Sequence, residues 1–176
     1  MKRLFILRHA KAVAAEPSDD DFARELAPRG HEDAARLGVH LRAHDLRPDL
    51  ALVSPARRTT ETWQDVSQAF EKPPKAEFPA ALYLASAATL RGELRKASPR
   101  AESVMAIGHN PGLENLALHL VRRPKGEAAK ARMRAMAEGF PTCALAILAF
   151  DIESWKQLDA AHGELIAYLR PKDLKD

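Results

Sequence analysis

Three short apolar runs in this chain are each followed by residues suited to holding an anion. Leu4-Phe5-Ile6-Leu7 leads into Arg8-His9, Leu50-Ala51-Leu52-Val53 into Ser54 and then Arg57-Arg58, and Ser103-Val104-Met105-Ala106-Ile107 into Gly108-His109. Arginine offers a rigid planar fork that pairs with two phosphate oxygens at once. Histidine titrates near neutrality and serves as a nucleophile or a proton carrier. The segments after Pro55 and Pro111 each open a helical pattern, whose free N–H groups and dipole favour negative charge. Cys143, the one thiol, lies in an apolar run and reads as buried and structural. No Gly-x-Ser-x-Gly elbow and no phosphate-cradling glycine loop competes for the chemistry. Phosphoryl transfer to histidine is what these groups suit.

Something must bring them together. A short apolar run bounded by turn signals is the pattern of a strand buried on both faces. Residues 144–150 and 165–169 repeat it, with Trp155 between them. Helical spacing of apolar residues predicts helices over 29–44, 59–70, 90–96, 113–121 and 127–137, while 78–84 mixes strand and turn features. Strands alternating with helices imply βαβ units, so the expected fold is α/β: a three-layer α/β/α sandwich with a mostly parallel central sheet. The closely spaced final strands fit an antiparallel edge. In such sheets ligands collect outside the carboxyl ends of strands. Three strands would then deliver Arg8, His9, Arg58 and His109 to one rim.

Composition sets the outer limits. The chain has 176 residues, and one domain over 1–176 is expected because halves of that length would be poorly cored. Apolar residues at 46% and charged residues at 29% are a globular balance. A net charge of +3 and ten aromatics argue against nucleic-acid binding. The apolar stretch near the N-terminus is too short for a signal core and no run approaches a membrane span, so a cytoplasmic location with no membrane partner is expected. His40 and His44 have the spacing of a metal pair but no third ligand in pattern, and Asp19-Asp20-Asp21 reads as a loop, so no metal is expected. Six basic residues against one acid between Arg122 and Arg134 read as a solvated helix. Nothing demands an oligomer; a monomer or weak oligomer is expected.

The motifs also carry a resemblance. Leu7-Arg8-His9-Ala10 looks like the Arg-His-Gly signature of the histidine phosphatase superfamily, which includes the phosphoglycerate mutases. Residues 54–62, Ser-Pro-Ala-Arg-Arg-Thr-Thr-Glu-Thr, are similar to its second motif, with the phosphate-binding arginine at Arg58. Gly108-His109-Asn110-Pro111-Gly112-Leu113-Glu114 resembles the second-histidine motif, and its extension resembles the branch of SixA-type phosphohistidine phosphatases. Leu26-Ala27-Pro28-Arg29-Gly30, Phe140-Pro141-Thr142 and Tyr168-Leu169-Arg170-Pro171 fit that branch as well. One departure is Ala10, where the family has glycine; it matters only if φ there is positive.

The resemblance implies a phosphoglycerate-mutase-like fold and a metal-independent phosphatase that needs no cofactor. His9 would be the nucleophile, with Arg8, Arg58 and His109 around the phosphoryl oxygens. Asp21, in a segment resembling the family's Asp-x-x-Arg-x-Leu, is the candidate general acid, and Arg24 would join the phosphate pocket from the same loop. The chain has no room for the insertions that cover small substrates in mutase-type relatives. An open pocket then favours phosphohistidine on a phosphoprotein. The alternatives are a general phosphatase of small phosphorylated molecules and a phosphate-recognising protein without turnover.

Overall fold

The structure, a computed structural model, describes residues 1–17, 20–159 and 162–174; Asp19 of the acidic run lies outside them. Its elements follow as β1 (Lys2–Arg8), α1 (Pro28–Ala43), β2 (Leu50–Val53), α2 (Arg57–Ser67), β3 (Lys75–Glu77), α3 (Ala87–Leu94), β4 (Ser103–Gly108), α4 (Gly112–Leu120), α5 (Glu127–Ala137), β5 (Leu145–Phe150) and β6 (Glu164–Leu169). The six strands form one sheet in the order β3-β2-β4-β1-β5-β6. The pairs β3–β2, β2–β4 and β4–β1 are parallel, whereas β5 runs antiparallel to both β1 and β6. The reversed strand is thus inside the sheet rather than at its edge, and β6 at the edge points the same way as β1.

The apolar runs are continuous because both faces of the central strands are covered. Leu4 and Ile6 of β1 face a core built with Leu90 and Leu94 of α3, Leu113, Leu116 and Leu120 of α4, and Met136 of α5. Phe5 and Leu7 face the opposite core, with Ala34, Leu37 and Leu41 of α1 and Trp63 and Val66 of α2. Burial of each such side chain contributes ~1.5–3 kcal/mol, so β1 anchors both layers. The helices α1 and α2 approach closely at Gly38, where a Cβ would come within 2.4 Å of the Val66 carbonyl oxygen.

Two elements differ from expectation. The edge strand β3 is short and partly polar, so it shows no apolar run to read. The ambiguous 78–84 segment forms a 3-10 turn at Ala80–Leu82, and α3 starts at Ala87, where Ser86 caps the Thr89 N–H. Among the described residues no helix is long and apolar enough to cross a membrane.

Candidate active site

The parallel strands β1, β4 and β2 end level with one another, with Arg8 opposite Gly108 and Val53 opposite Ile107. The chain leaves β1 still tied on both sides. His9 N–H donates to the Gly108 carbonyl at 3.1 Å, and the Cys143 N–H donates to the His9 carbonyl at 3.0 Å. Ala10 N–H donates to Thr62 Oγ1 at 3.0 Å, and that hydroxyl donates on to the Arg58 carbonyl at 2.6 Å. The His9 backbone is therefore fixed by β4, by the segment leading into β5 and by α2 together.

Its ring is fixed as well. His9 Nδ1 lies 2.8 Å from the Ala10 carbonyl oxygen, which only accepts, so Nδ1 carries the proton and Nε2 keeps its lone pair. Ala10 does this from an ordinary backbone conformation. Positive φ among non-glycine residues falls at Asp45, Leu84 and Cys143, so alanine replaces glycine here without strain.

Arg58, on the first turn of α2, has 2% of its surface exposed. Its Nη1 donates to the Asp21 carbonyl at 2.6 Å, and its Nη2 reaches both Asp21 Oδ2 and His109 Nδ1 at 3.1 Å. Because guanidinium only donates, His109 Nδ1 is the acceptor and Nε2–H points to Ser54 Oγ, 2.6 Å away. The rings of His9 and His109 lie 5.4 Å apart, centre to centre. Asp21 also accepts from Tyr83 Oη at 2.7 Å and from Arg24 Nη2 at 3.1 Å. On the β5 side, Arg8 Nη1 donates to the Phe140 carbonyl at 2.9 Å. Asn110 Nδ2 donates to that same carbonyl and to Glu114 Oε2. Behind them lies an open groove of about 580 Å³, whose lining includes Arg8, Asn110, Glu114, Glu138, Phe140 and Arg170. The loop joining this floor to α4 is tight: a Cβ at Gly112 would meet the Ala85 carbonyl oxygen at 1.9 Å.

Burial and charge act together on the histidines. His9, 8% exposed, is pushed down to about 4, first by loss of water and then by the positive charge of Arg58, Arg8 and Arg24. His109, 3% exposed, falls to about 3, again by burial first and Arg58 second. Both are neutral at pH 7. Hydrogen bonding from Tyr83 and the charges of Arg58 and Arg24 hold the Asp21 carboxyl below its usual range. Burial lowers Arg8 against the opposing pull of Glu114. Cys143 is buried and its thiol is pushed up, as an inert structural group would be.

Four buried side-chain atoms among the described residues lack a hydrogen-bond partner: Arg8 Nε, Arg24 Nε, Arg58 Nε and Asn110 Oδ1. All four belong to this cluster.

The structure thus gathers Arg8, His9, Asp21, Arg24, Arg58 and His109 into one place. Arg57 is apart on the helix surface, pairing with Glu61 at 2.8 Å and Glu25 at 2.5 Å. His40 and His44 stack on each other on α1, with no group of three metal-ligating side chains among the described residues. Sequence reasoning missed Tyr83 and the role of Asn110. Tyr83 sits in the segment whose pattern was ambiguous; Asn110 was visible only as part of a motif.

Comparisons with known proteins show what the sequence and the fold are similar to. The sequence model of the histidine phosphatase superfamily (branch 1) matches residues 4–78. A solved structure from Agrobacterium tumefaciens, described as a candidate phosphohistidine phosphatase SixA, is 29% identical with a TM-score of 0.79, over 97% of this chain and 98% of its own. The protein histidine phosphatase SixA, solved with tungstate, shares the fold at a TM-score of 0.77 and 22% identity, over 98% of this chain and 99% of its own. An uncharacterised Mycobacterium tuberculosis protein is 29% identical over 166 residues, 94% of this chain and 100% of that protein. Over residues 4–78 the chain is similar to the histidine phosphatase superfamily (branch 1), and over nearly its whole length to the SixA-type structure from Agrobacterium tumefaciens.

Proposed function

We propose that the chain is a phosphatase that removes phosphoryl groups from phosphohistidine on a protein, through a phosphoryl group carried on His9. One observation carries the reading: three arginines whose charges act on His9 each keep a buried Nε without a partner, and His9 Nε2 is held unprotonated. Buried donors without partners are rare in folded proteins, and a dianionic phosphoryl group supplies acceptors to such donors.

In the first step the Nε2 lone pair attacks phosphorus in line, and the bond from phosphorus to the leaving atom breaks with its electron pair on that atom. Arg8, Arg24 and Arg58 hold the oxygens on which charge develops, and His109 orients Arg58 by accepting from its Nη2. Water then attacks the phosphoryl group on His9, releasing phosphate and restoring the imidazole.

The state of Asp21 bears on the substrate. An acid must hold a proton to give one, and Asp21 is held ionised by Tyr83, Arg58 and Arg24. Its role in this reading is to anchor Arg58 and accept a proton from the attacking water. An alkoxide leaving group needs a proton donor. The imidazole of phosphohistidine, protonated on its other nitrogen, departs neutral without one. The similarity to SixA-type structures points to the same substrate.

The test is rapid mixing with a phosphohistidine peptide and with p-nitrophenyl phosphate. Faster turnover of the peptide, and an acid-labile phosphoenzyme that His9→Ala abolishes with a loss on the order of 10³-fold or more, is the expected result. Binding of either compound without turnover leaves a recognition protein instead, and faster turnover of the ester leaves a general phosphomonoesterase.

A further inference from the structure

We infer that Phe22 and Tyr83 form an aromatic wall that binds the planar ring of the leaving group, making this site selective for phosphoryl groups attached to rings. The inference rests on the phosphatase reading and adds a specificity device to it. Tyr83 stands edge-on to His109, with ring centres 5.6 Å apart and planes at 89°, so it borders the phosphoryl pocket directly. Phe22 packs on Tyr83 in the same manner, at 5.0 Å and 77°. Yet 39% of Phe22 is exposed, on the 3-10 turn Asp21–Ala23.

The backbone that carries the exposed ring is also held. Asp20 Oδ1 accepts from Phe22 N–H at 3.0 Å, and the neighbouring Asp21 is bound by Arg58, Arg24 and Tyr83. Further along the loop, Glu25 pairs with Arg57, and Glu61 accepts from Leu26 N–H at 2.7 Å. An exposed aromatic on held backbone, one residue from the Arg58 anchor, loses little entropy when a flat ligand covers it. Ring pairs of this kind gain ~0.5–1.5 kcal/mol beyond the area they bury, which is ~2–10-fold in affinity.

The test compares Phe22→Ala, Phe22→Leu and Phe22→Trp on three compounds: phosphohistidine, p-nitrophenyl phosphate and ringless phosphoramidate. Phe22→Ala and Phe22→Leu should raise KM about 3–10-fold on the two ring compounds and change phosphoramidate by less than about twofold, with Phe22→Trp restoring the ring compounds. Equal losses on all three compounds in Phe22→Ala would show that Phe22 merely packs the loop, and no loss on any would show that no ring rests there; either overturns the inference. A wild-type enzyme inert toward all three removes the phosphatase reading and this inference with it. An active one that fails the ring test removes only the inference.

Discussion

The two ends of the central sheet both bury charge, and they treat it differently. At the end where β1 and β4 begin, Lys2 is almost fully buried, and its Nζ donates to the carbonyls of Pro99 and Ala101 and to Glu102 Oε1 at 2.8, 3.0 and 3.2 Å. Beside it, Asp49 Oδ2 accepts from the N–H groups of Glu102 and Ser103 and from the Ser103 hydroxyl. Trp155 Nε1 donates to the Ala101 carbonyl, and its ring lies under the Lys2 ammonium at 5.9 Å. None of these groups is among the buried unpartnered atoms, whereas the opposite end holds all four. Complete partnering marks charge that serves the fold; converging leftover donors mark charge that serves a ligand.

Crossed substitutions are the strongest way to break that contrast. Arg58→Met should lower kcat/KM by ~10²–10³-fold, because a donor aimed at developing charge is lost. Its urea midpoint should fall less than that of Lys2→Met, since the loss of a donor to His109 Nδ1 and the Asp21 carbonyl is offset by removal of a buried cation with an unsatisfied Nε. Lys2→Met should do the reverse: turnover within about twofold of wild type, and ~1–3 kcal/mol of stability lost as the Pro99 carbonyl loses its donor and the Ala101 carbonyl keeps only Trp155. If both variants lose stability alike, the two ends do not differ in kind.

Proton linkage gives a second contrast. His9 and His109 sit at about 4 and about 3 when folded, against 6.5 for the free side chain. Between pH 6.5 and 4 the unfolded chain therefore binds protons that the folded chain refuses, so stability falls as pH drops through that window and is fully present above it. Denaturant midpoints for wild type and His9→Gln should diverge at pH 7 and converge toward pH 5, the variant losing less on acidification. Because His9 stays unprotonated, the acid limb of kcat/KM should fall near 4 rather than near 6.5. A limb at 6.5 would mean that the arginines and burial do not control the His9 imidazole.

Asp21→Asn tests the assignment of its charge. A loss of ~10-fold, equal on phosphohistidine and p-nitrophenyl phosphate, is expected if the carboxylate anchors Arg58, a charge-assisted hydrogen bond being worth ~1.5–3 kcal/mol. A larger loss on the aryl ester would restore the leaving-group acid.

How much of this was readable beforehand depends on distance along the chain. The run Leu4-Phe5-Ile6-Leu7 announces a strand because both its neighbours are apolar layers, and the residues just past three such runs hold the central site groups. Lys75-Ala76-Glu77 announces nothing, since an edge strand is covered on fewer sides. Asp21 was placed by motif, but its ionisation comes from Tyr83, 62 residues away, and no local pattern encodes that contact. Likewise β5 reads as a strand from its own residues, while its antiparallel seat beside β1 is decided by packing.

The smallest expected effect concerns Ala10, where the sequence departs from the family signature. Its carbonyl fixes the His9 tautomer and its N–H meets Thr62, so His9 is held through backbone rather than through a side chain. Its side chain is fully buried and its φ is not positive, so glycine gains no conformation that alanine lacks. Ala10→Gly should cost ~0.4–1 kcal/mol through the greater freedom of the unfolded chain, with kcat/KM on phosphoramidate unchanged within about twofold. Urea midpoints and initial rates measure both. A variant that gains tenfold in rate would mean that the methyl crowds the phosphoryl group, and that the ligand end of the sheet is tighter than its leftover donors imply.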